Sequence, residues 1–277
     1  MNQKQEKKPL ITIAIATYDS GNTIEKCLKS IQKQTYPNLD IIVVDSKYYD
    51  KYKQEACKKI ITKYARYFKD GPERSIQRNR GIKEAKGEYI LIIDQDMYLS
   101  PNVAEDCLNT LLKNNCHAIL IPEISIGEGY WTKCVALDRY VTTYLEDGKN
   151  ECCRFFSKKD ALVIGGYDPT IVGAEDADFH YRMSKLGYIK KIKSIIYHDE
   201  GVTKFSARVK KKYYYSKAFR RFVQRYPDAA TAQFFPLKKA YFKHWKLFIK
   251  DPLVTLGIIT LRTAEVSAGI LGVMIKK

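Results

Sequence analysis

The sequence predicts an α/β fold in which a mostly parallel sheet is flanked by helices. Apolar runs rich in β-branched residues, at residues 10–16, 41–44 and 89–93, alternate with stretches of helical periodicity. The chain has 277 residues, of which 45% are hydrophobic. This length suits one α/β domain of about 200 residues with a C-terminal extension.

The first elements follow from local signals. The loop TYDSGN follows the first strand, and the amphipathic stretch after it predicts a helix over residues 23–34. The second strand ends in Asp45 and precedes a lysine-rich helix predicted over residues 52–67. Gly87 stops the next predicted helix, residues 76–85, so that the third strand can follow.

Beyond the third strand the pattern is less regular. A proline at the start of a periodic stretch favours a helix that begins there. The remaining predicted elements are helices over residues 101–114, 131–144 and 176–186 and strands over residues 153–156 and 189–197.

Polar residues follow each of the first three strands: Thr17, Asp45 and Asp94. In open α/β sheets, ligands bind outside the carboxyl ends of the strands. Because parallel strands bring these ends to one edge, the three residues are predicted to lie together. Their convergence locates a site without naming a reaction.

The motif Asp94-Gln95-Asp96 places two carboxylates on the turn after the third strand. Carboxylate oxygens are hard ligands that suit Mg²⁺ or Mn²⁺ held against a diphosphate. Asp96 is the predicted direct ligand. The alternative interpretation is an acidic turn with a structural role.

Three blocks of sequence extend this interpretation. They are ITIAIATYDSGNTIEKCLKSIQKQTYPNLDIIVVD at residues 11–45, RNRGIKEAKGEYILIIDQD at 78–96 and GGYDPTIVGAEDADFHYRMSKLGY at 165–188. Across residues 10–200, the chain resembles the family 2 glycosyltransferases. The resemblance implies a GT-A (Rossmann-like) fold and metal-dependent, inverting transfer of a sugar from a nucleotide-diphosphate sugar to a hydroxyl or phosphate acceptor.

The resemblance implies donor-binding roles for residues near the first two strand ends. Thr17 and Tyr18 match positions that contact the nucleotide base, and Asp45 matches a position that binds the base or the ribose. Relatives usually follow the second strand with two acids and a small-residue turn, whereas here SKYYDKYK follows Asp45. The resemblance therefore implies the chemistry more directly than the choice of donor.

Further donor residues are implied near the third strand. Asp94 matches the position that faces the ribose and donor sugar, and Gln95 lies between the two acids of the motif. Arg78 falls where relatives place basic residues against the nucleotide, and Arg74 is the alternative.

The resemblance also implies metal ligands and a base. Asp96, with Asp94, matches the metal position beside the diphosphate, and His198 resembles a late histidine that reaches the metal or diphosphate in some relatives. Asp176, the second member of the pair Glu175-Asp176, matches the general base that deprotonates the acceptor hydroxyl. The alternatives are a structural histidine and an acid pair that complements a helix N-terminus.

Net charge is concentrated late in the chain. The formal net charge is +17, and residues 204–250 contain fourteen Lys or Arg against one acid, Asp228. In VKKKYYYSKAFRRFVQRY, aromatic residues alternate with cations, which suits a membrane interface, a phosphate-bearing acceptor or single-stranded nucleic acid. A solvated helix is the fourth interpretation.

Two apolar runs, residues 253–261 and 266–275, lie near the C-terminus. Neither reaches the roughly 20 residues that cross a bilayer, and Arg262 and Glu265 lie in the interruption between them. A segment that lies in the interface of an anionic membrane is favoured over a helical oligomer interface. The predicted division is a catalytic domain over residues 1–205 and a membrane-interface segment over residues 206–277.

The N-terminal nine residues are polar and lysine-rich and do not resemble a signal peptide. The seven cysteines include no CxxC pair, which favours reduced thiols. The predicted location is cytoplasmic, peripheral on the cytoplasmic face of the cell membrane, with a lipid-linked acceptor of the polyprenyl-phosphate type and no nucleic-acid partner. A soluble glycan or protein acceptor, a nucleotidyltransferase and a non-catalytic basic module are the alternatives.

Overall fold

A computed structural model describes residues 8–21, 23–46, 50–146, 152–227 and 239–274, with the backbone alone for residues 217–220. Residues 47–49, part of the unusual segment after Asp45, lie outside these ranges. The described helices and strands are β1 (Ile11–Thr17), α1 (Thr23–Gln32), β2 (Leu39–Ser46), α2 (Lys51–Ile61), β3 (Arg66–Asp70), α3 (Arg74–Glu84), β4 (Tyr89–Asp94), β5 (Met97–Leu99), α4 (Val103–Asn114), β6 (Ala118–Leu120), β7 (Glu123–Glu128), α5 (Tyr130–Arg139), a π-helical segment (Tyr140–Tyr144), β8 (Phe155–Ser157), α6 (Lys158–Val163), α7 (Glu175–Ser184), β9 (Ile189–Lys191), β10 (Ile196–Val202), α8 (Phe205–Arg225), α9 (Lys239–Lys243), α10 (Trp245–Ile249) and α11 (Pro252–Met274).

The main sheet has the strand order β3-β2-β1-β4-β8-β6-β9. Its first four strands are parallel, and β8 is antiparallel to both neighbours. The predicted α/β fold with a mostly parallel sheet is therefore confirmed. Thr17 lies opposite Asp45 in the β1–β2 register, and Ala16 lies opposite Asp94 in the β1–β4 register. The three predicted strand-end residues thus share one edge.

Close packing of α3 on the sheet brings Arg78 to that edge. A Cβ at Gly81 would lie 2.9 Å from the Cβ of Ala14 on β1, so the glycine permits the close approach. Ile82 belongs to the same buried cluster as Ala14 and Ile92. Arg78 lies one turn before Gly81 on the same side of α3, so this packing sets its position.

The second sheet, in the order β5-β10-β7, brings His198 to the turn after β4. β5 starts directly after Asp96 and pairs antiparallel with β10, so that Met97 lies opposite His198. Residues far apart in the sequence therefore meet beside the Asp-x-Asp turn.

Two predicted elements are wrong in their extent. α2 ends at Ile61, and the residues predicted to continue it to Tyr67 instead lead into β3. This strand pairs with β2, and Arg66 at its start bonds Asp40 of β2 at 2.7 Å, a contact that local periodicity does not show. The strand predicted over residues 189–197 is two strands, β9 and β10, in different sheets.

The C-terminal helices pack on the α/β domain. α8 begins at Phe205, next to the predicted boundary between residues 1–205 and 206–277, and α11 packs against α8 and α5. A side chain at Gly257 would collide with Tyr130, and one at Gly272 would collide with α8. Glycines thus let α11 approach both neighbours.

The two apolar runs of the sequence form one helix, because α11 continues through Arg262 and Glu265. Both charges point into the protein: Arg262 donates to Asp138 and Glu265, and Arg208 donates to Glu265 at 2.9 Å. Among the described residues, α11 is long and apolar enough to cross a membrane, judged by length and composition alone. Its outward face exposes apolar side chains, including Leu253, Leu256, Ile259, Ile270 and Met274.

Candidate active site

Arg78 is the centre of an acidic cluster at the strand ends. Its fully buried guanidinium donates to Oδ1 of Asp94 at 2.9 Å and to Oδ1 of Asp176 at 2.6 Å. The guanidinium also lies 5.2 Å from the ring centroid of Tyr167. A planar guanidinium with several fixed donors suits such a bridging position. Arg78 therefore ties the end of β4 to the start of α7.

Asp94 is held in its ionised form although it is buried. Burial acts to raise the pKa of Asp94, but the charges of Arg78, Arg154 and Arg74 outweigh it and hold the pKa well below its usual value. Opposite charges within a water-poor site interact strongly. Asp94 is therefore a fixed negative charge beside Arg78.

The predicted acid pair begins α7, and its two members have different surroundings. Glu175 is buried and pairs with Arg74 at 2.9 Å. Burial, followed by the charge of Asp176, raises the pKa of Glu175. The side chain of Asp176 is 33% exposed. Asp176 is therefore the member of the pair that a ligand can reach.

The two arginines that the sequence left as alternatives differ in exposure. The side chain of Arg78 is fully buried, whereas that of Arg74 is 40% exposed. Arg78 is already engaged by two carboxylates. Arg74 is accessible to an anionic ligand, whereas Arg78 positions acids.

Gln95 links the turn after β4 to the loop after β1. Its Oε1 accepts hydrogen bonds from the Thr17 hydroxyl and, at 2.8 Å, from the Tyr18 backbone N–H. Its Nε2 donates to the Tyr18 carbonyl at 3.3 Å, and the Tyr18 side chain is exposed. Gln95 thus positions the loop from which Tyr18 projects.

Asp45 and Thr17 are both buried at the edge of the sheet. Oδ2 of Asp45 accepts a hydrogen bond from the Tyr67 hydroxyl at 2.9 Å. The amide of Gln77 donates to the carbonyls of Thr17 and Val44 at 2.7 and 2.9 Å. Thr17 and Asp45 therefore line the bottom of the site, and Tyr18 lies above them.

Asp96 and His198 form the candidate metal position. Oδ2 of Asp96 lies 3.6 Å from Nε2 of His198, and Oδ1 is buried without a hydrogen-bond partner among the described residues. A hard cation would satisfy such an orphaned carboxylate oxygen. The described residues contain no group of three or more His, Cys, Asp or Glu suited to a metal. A cation here would take further ligands from a diphosphate and water.

Glu123 orients His198, because its Oε2 lies 3.2 Å from Nδ1. Burial opposes protonation, but hydrogen bonds with Asp96 and Glu123 raise the pKa of His198 to about 9. Arg139 and Arg154 also bond Glu123, at 2.8 and 2.6 Å. With Nδ1 directed at Glu123, Nε2 is the nitrogen placed to bind a cation once its proton is lost.

Sequence reasoning missed the residues that support the predicted ones, namely Tyr67, Gln77, Glu123, Arg139 and Arg154. They belong to no local motif, and their partners lie on distant elements. One signal was present: Arg154 stands between CC and FF, and an arginine within an apolar segment is buried only when it is paired.

A family model described as glycosyl transferase family 2 matches residues 12–159. An uncharacterized glycosyltransferase from Rickettsia bellii is 27% identical over 217 residues, which are 72% of this chain and 31% of that protein. The minor teichoic acid biosynthesis protein GgaB from Bacillus subtilis is 27% identical over 269 residues, which are 87% of this chain and 29% of that protein. This chain therefore spans about a third of the length of these curated relatives.

Solved structures share the fold. The mannosyltransferase PcManGT from Pyrobaculum calidifontis, in complex with GDP-Man and Mn²⁺, matches with a TM-score of 0.63 at 18% identity, over 98% of this chain and 89% of that one. S. aureus TarS 1-349 in complex with UDP-GlcNAc matches with a TM-score of 0.54 at 15% identity, over 95% and 89% of the two chains.

Proposed function

The chain belongs to glycosyl transferase family 2, and on that premise we propose that it transfers a sugar, with inversion, from a nucleotide-diphosphate sugar to an acceptor hydroxyl. The observation that carries the proposal is the bridge that Arg78 forms between Asp94 and Asp176. It holds a donor-side acid and an acceptor-side acid in one cluster, next to Asp96 and His198. A single displacement needs these groups in one site, with the base and the leaving group on opposite faces of the sugar.

On the donor side, Asp96 and His198 would hold Mg²⁺ or Mn²⁺. The bound cation would supply charge stabilisation to the departing nucleotide diphosphate. PcManGT, which shares the fold, was solved with Mn²⁺ and GDP-Man, which supports a divalent cation. The partly exposed Arg74 would contact the diphosphate. Tyr18 would contact the nucleotide base, on a loop that Gln95 holds.

On the acceptor side, Asp176 is the proposed general base. Arg78 holds Oδ1 of Asp176, so Oδ2 would take the proton from the acceptor hydroxyl as the hydroxyl oxygen attacks the anomeric carbon. One base on the face opposite the leaving group gives inversion. A phosphate acceptor is ionised at neutral pH and needs no base, and Glu175 and Asp176 would repel it. The acid pair therefore favours a hydroxyl as the attacking group.

We infer that the C-terminal helices lie on an anionic membrane surface at its cytoplasmic face. Phe242, Trp245, Ile249 and Leu253 expose large apolar side chains on α9, α10 and α11. Arg262 and Glu265 are bonded inside the protein, and α11 packs on α8 and α5, so apolar surface is left on one side only. That arrangement favours a helix that lies in the interface over one that spans the bilayer.

Membrane attachment favours a lipid-linked acceptor, because the enzyme and its substrate would then meet on one surface. The acceptor would be a lipid-linked sugar whose free hydroxyl reaches Asp176 and whose phosphate and apolar chain lie further out. The lysine-rich segment, residues 204–250, would add attraction to anionic headgroups.

A donor screen tests the proposed reaction. Purified protein is mixed with Mn²⁺ or Mg²⁺ and a panel of nucleotide sugars that includes GDP-mannose and UDP-GlcNAc, and mass spectrometry follows slow release of the nucleotide diphosphate. We expect one donor to be consumed, with loss of the reaction in EDTA. If no donor is hydrolysed or bound in the presence of either metal, the proposed function is wrong.

A further inference from the structure

A groove of about 330 Å³ lies between α8 and α11, in the part of the molecule that the donor site does not use. Its walls are mainly apolar and include Tyr215 from α8 and Val266, Ile270 and Val273 from α11. A larger cavity of about 670 Å³ lies between α10 and α11 but shares no lining residue with the surroundings of the acid pair.

The inner end of the groove shares a wall with the cleft that Glu175 lines, and Glu175 is the residue before the candidate base. Gly173 lines the groove and precedes Glu175 by two residues. It adopts a φ of +79°, and a Cβ there would lie 2.7 Å from the Tyr215 side chain, so the glycine lets that ring pack against the loop before α7. Tyr215 also lines a small cleft with Arg74 and Glu175. Tyr215 is therefore the shared wall of the groove and the acid site.

The outer end of the groove reaches an apolar surface. Ile270, Val273 and Met274 line this end, and all three are exposed to solvent. At Gly269 the wall is open, because a Cβ placed there would meet no described atom within 4 Å. The groove thus leads from the acid site to the exposed apolar face of α11.

The polar lining of the groove includes a lysine. Lys212 lines it together with Glu265, which is bonded to Arg208 and Arg262, and Lys211 precedes Lys212 on α8. Burial, together with the nearby charges of Arg74 and Arg208, lowers the pKa of Lys211. Burial also lowers the pKa of Lys212, although Glu265 partly offsets it. Like charges held this close to one another favour an anion between them.

We propose that this groove is the acceptor site for a lipid phosphate: the apolar chain lies between α8 and α11, the phosphate lies against Lys211 and Lys212, and the sugar hydroxyl beyond it points to Asp176. The proposal rests on the proposed function for its last element. An apolar channel with a cationic inner end is complementary to an amphiphile with an anionic head. A soluble glycan would leave the apolar walls unused.

The test is direct binding of farnesyl phosphate, below its critical micelle concentration, by calorimetry on the full chain. Gly269→Leu places a side chain at the open wall, where a Cβ meets no described atom within 4 Å, and we expect roughly tenfold weaker binding, because several methylene groups of the probe lose their contact surface. Gly269→Ala raises helix propensity without filling the groove, and Thr260→Leu adds the same side chain to the exposed face of α11. Both controls should bind as the natural chain does.

Two further probes distinguish binding of the phosphate group from binding of the apolar chain. Farnesol should bind at least tenfold more weakly than farnesyl phosphate, and Lys211→Gln with Lys212→Gln should remove most of that difference. Inorganic phosphate alone should not displace the bound probe at equal concentration. Equal binding of farnesyl phosphate by the natural chain and Gly269→Leu would overturn the proposal.

Donor hydrolysis separates this proposal from the proposed function. Gly269→Leu should hydrolyse the donor at the same rate as the natural chain, because the groove lies outside the donor site. If the protein binds farnesyl phosphate in the groove but hydrolyses no donor, the proposed function is wrong and the groove proposal still holds. If the protein hydrolyses a donor but its affinity for farnesyl phosphate does not depend on residue 269, the groove proposal is wrong and the proposed function still holds.

Discussion

The strand-end site and the contact between α11 and the domain are each built on an arginine that bonds two acids, yet they differ in how accessible those acids are. At the strand ends, Arg78 bonds Asp94 and Asp176, and Asp176 remains partly exposed. Under α11, Arg262 bonds Asp138 and Glu265, and both acids are nearly covered. Similar ion pairs therefore leave one acid accessible at the strand ends and cover both acids under α11.

The two ion-pair networks differ in whether a ligand can reach their acids rather than in their charges. A buried ion pair costs desolvation energy, which its partners offset when the pair is fully hydrogen-bonded. In the α11 contact every partner is another part of the protein, so the network holds a helix in place. At the strand ends the network stops at Asp176 and Asp96, where a ligand can complete it. The contrast predicts different consequences for substitutions in the two regions.

The largest expected effect is at the proposed base. Asp176→Asn keeps the hydrogen bond to Arg78 but removes the proton acceptor, so the rate of transfer should fall by about a thousandfold while donor affinity stays within twofold. Single-turnover kinetics and calorimetric titration of the donor measure the two quantities. Asp160→Asn, on α6 beside His117, is the matched control and should retain full activity. If Asp176→Asn loses donor affinity as strongly as it loses the rate of sugar transfer, Asp176 is not the general base.

The metal position comes next. Asp96→Ala should weaken Mn²⁺-dependent donor binding by about a hundredfold, because a direct ligand with a buried oxygen is lost. Glu123→Gln should weaken it by roughly tenfold, since it leaves the ligands in place but disturbs the orientation of His198. Calorimetric titration of Mn²⁺ in the presence of donor measures both. Unchanged titration of Asp96→Ala would contradict the predicted metal site.

Breaking the α11 network should cost stability rather than rate. Arg262→Leu leaves Asp138 with Tyr241 and Glu265 with Arg208 as remaining partners. Since Arg262 is also partly exposed, we expect a loss of about 2 kcal/mol in the free energy of unfolding. Urea denaturation measures it, and Lys246→Leu serves as the exposed control. A fall in donor hydrolysis with unchanged stability would mean that the two networks are not separate in function.

The smallest expected effect concerns the exposed face of α11. Leu253→Ser combined with Leu256→Ser should reduce binding to anionic vesicles by about tenfold, because exposed apolar area is lost. Stability should change by less than about 0.5 kcal/mol for each substitution, since both side chains are exposed. Vesicle flotation with phosphatidylglycerol measures the binding. Full retention of the double variant with anionic vesicles would exclude this face as the attachment surface.

Much of the fold could be predicted because its signals are local. The apolar runs of β1, β2 and β4 predict a parallel sheet in which the polar residues after them share one edge, and the structure confirms that arrangement. β3 was missed because its residues are only partly buried and show no apolar alternation. Its strand conformation depends on pairing with β2 and on the bond between Arg66 and Asp40.

The sequence by itself determined the family, the edge at which the chemistry is predicted and the residue types placed there, because strand ends and short motifs are properties of contiguous residues. Tertiary structure alone decided which charges meet. Arg78 and Asp176 lie 98 residues apart in the sequence, and α3 packing rather than any motif makes Arg78 buried and Arg74 accessible. The same holds for α11, where Arg262 and Glu265 interrupt an apolar pattern in the sequence but face acids and arginines in the fold. The identity of a buried charge's partner depends on how distant elements pack, and no local pattern contains that information.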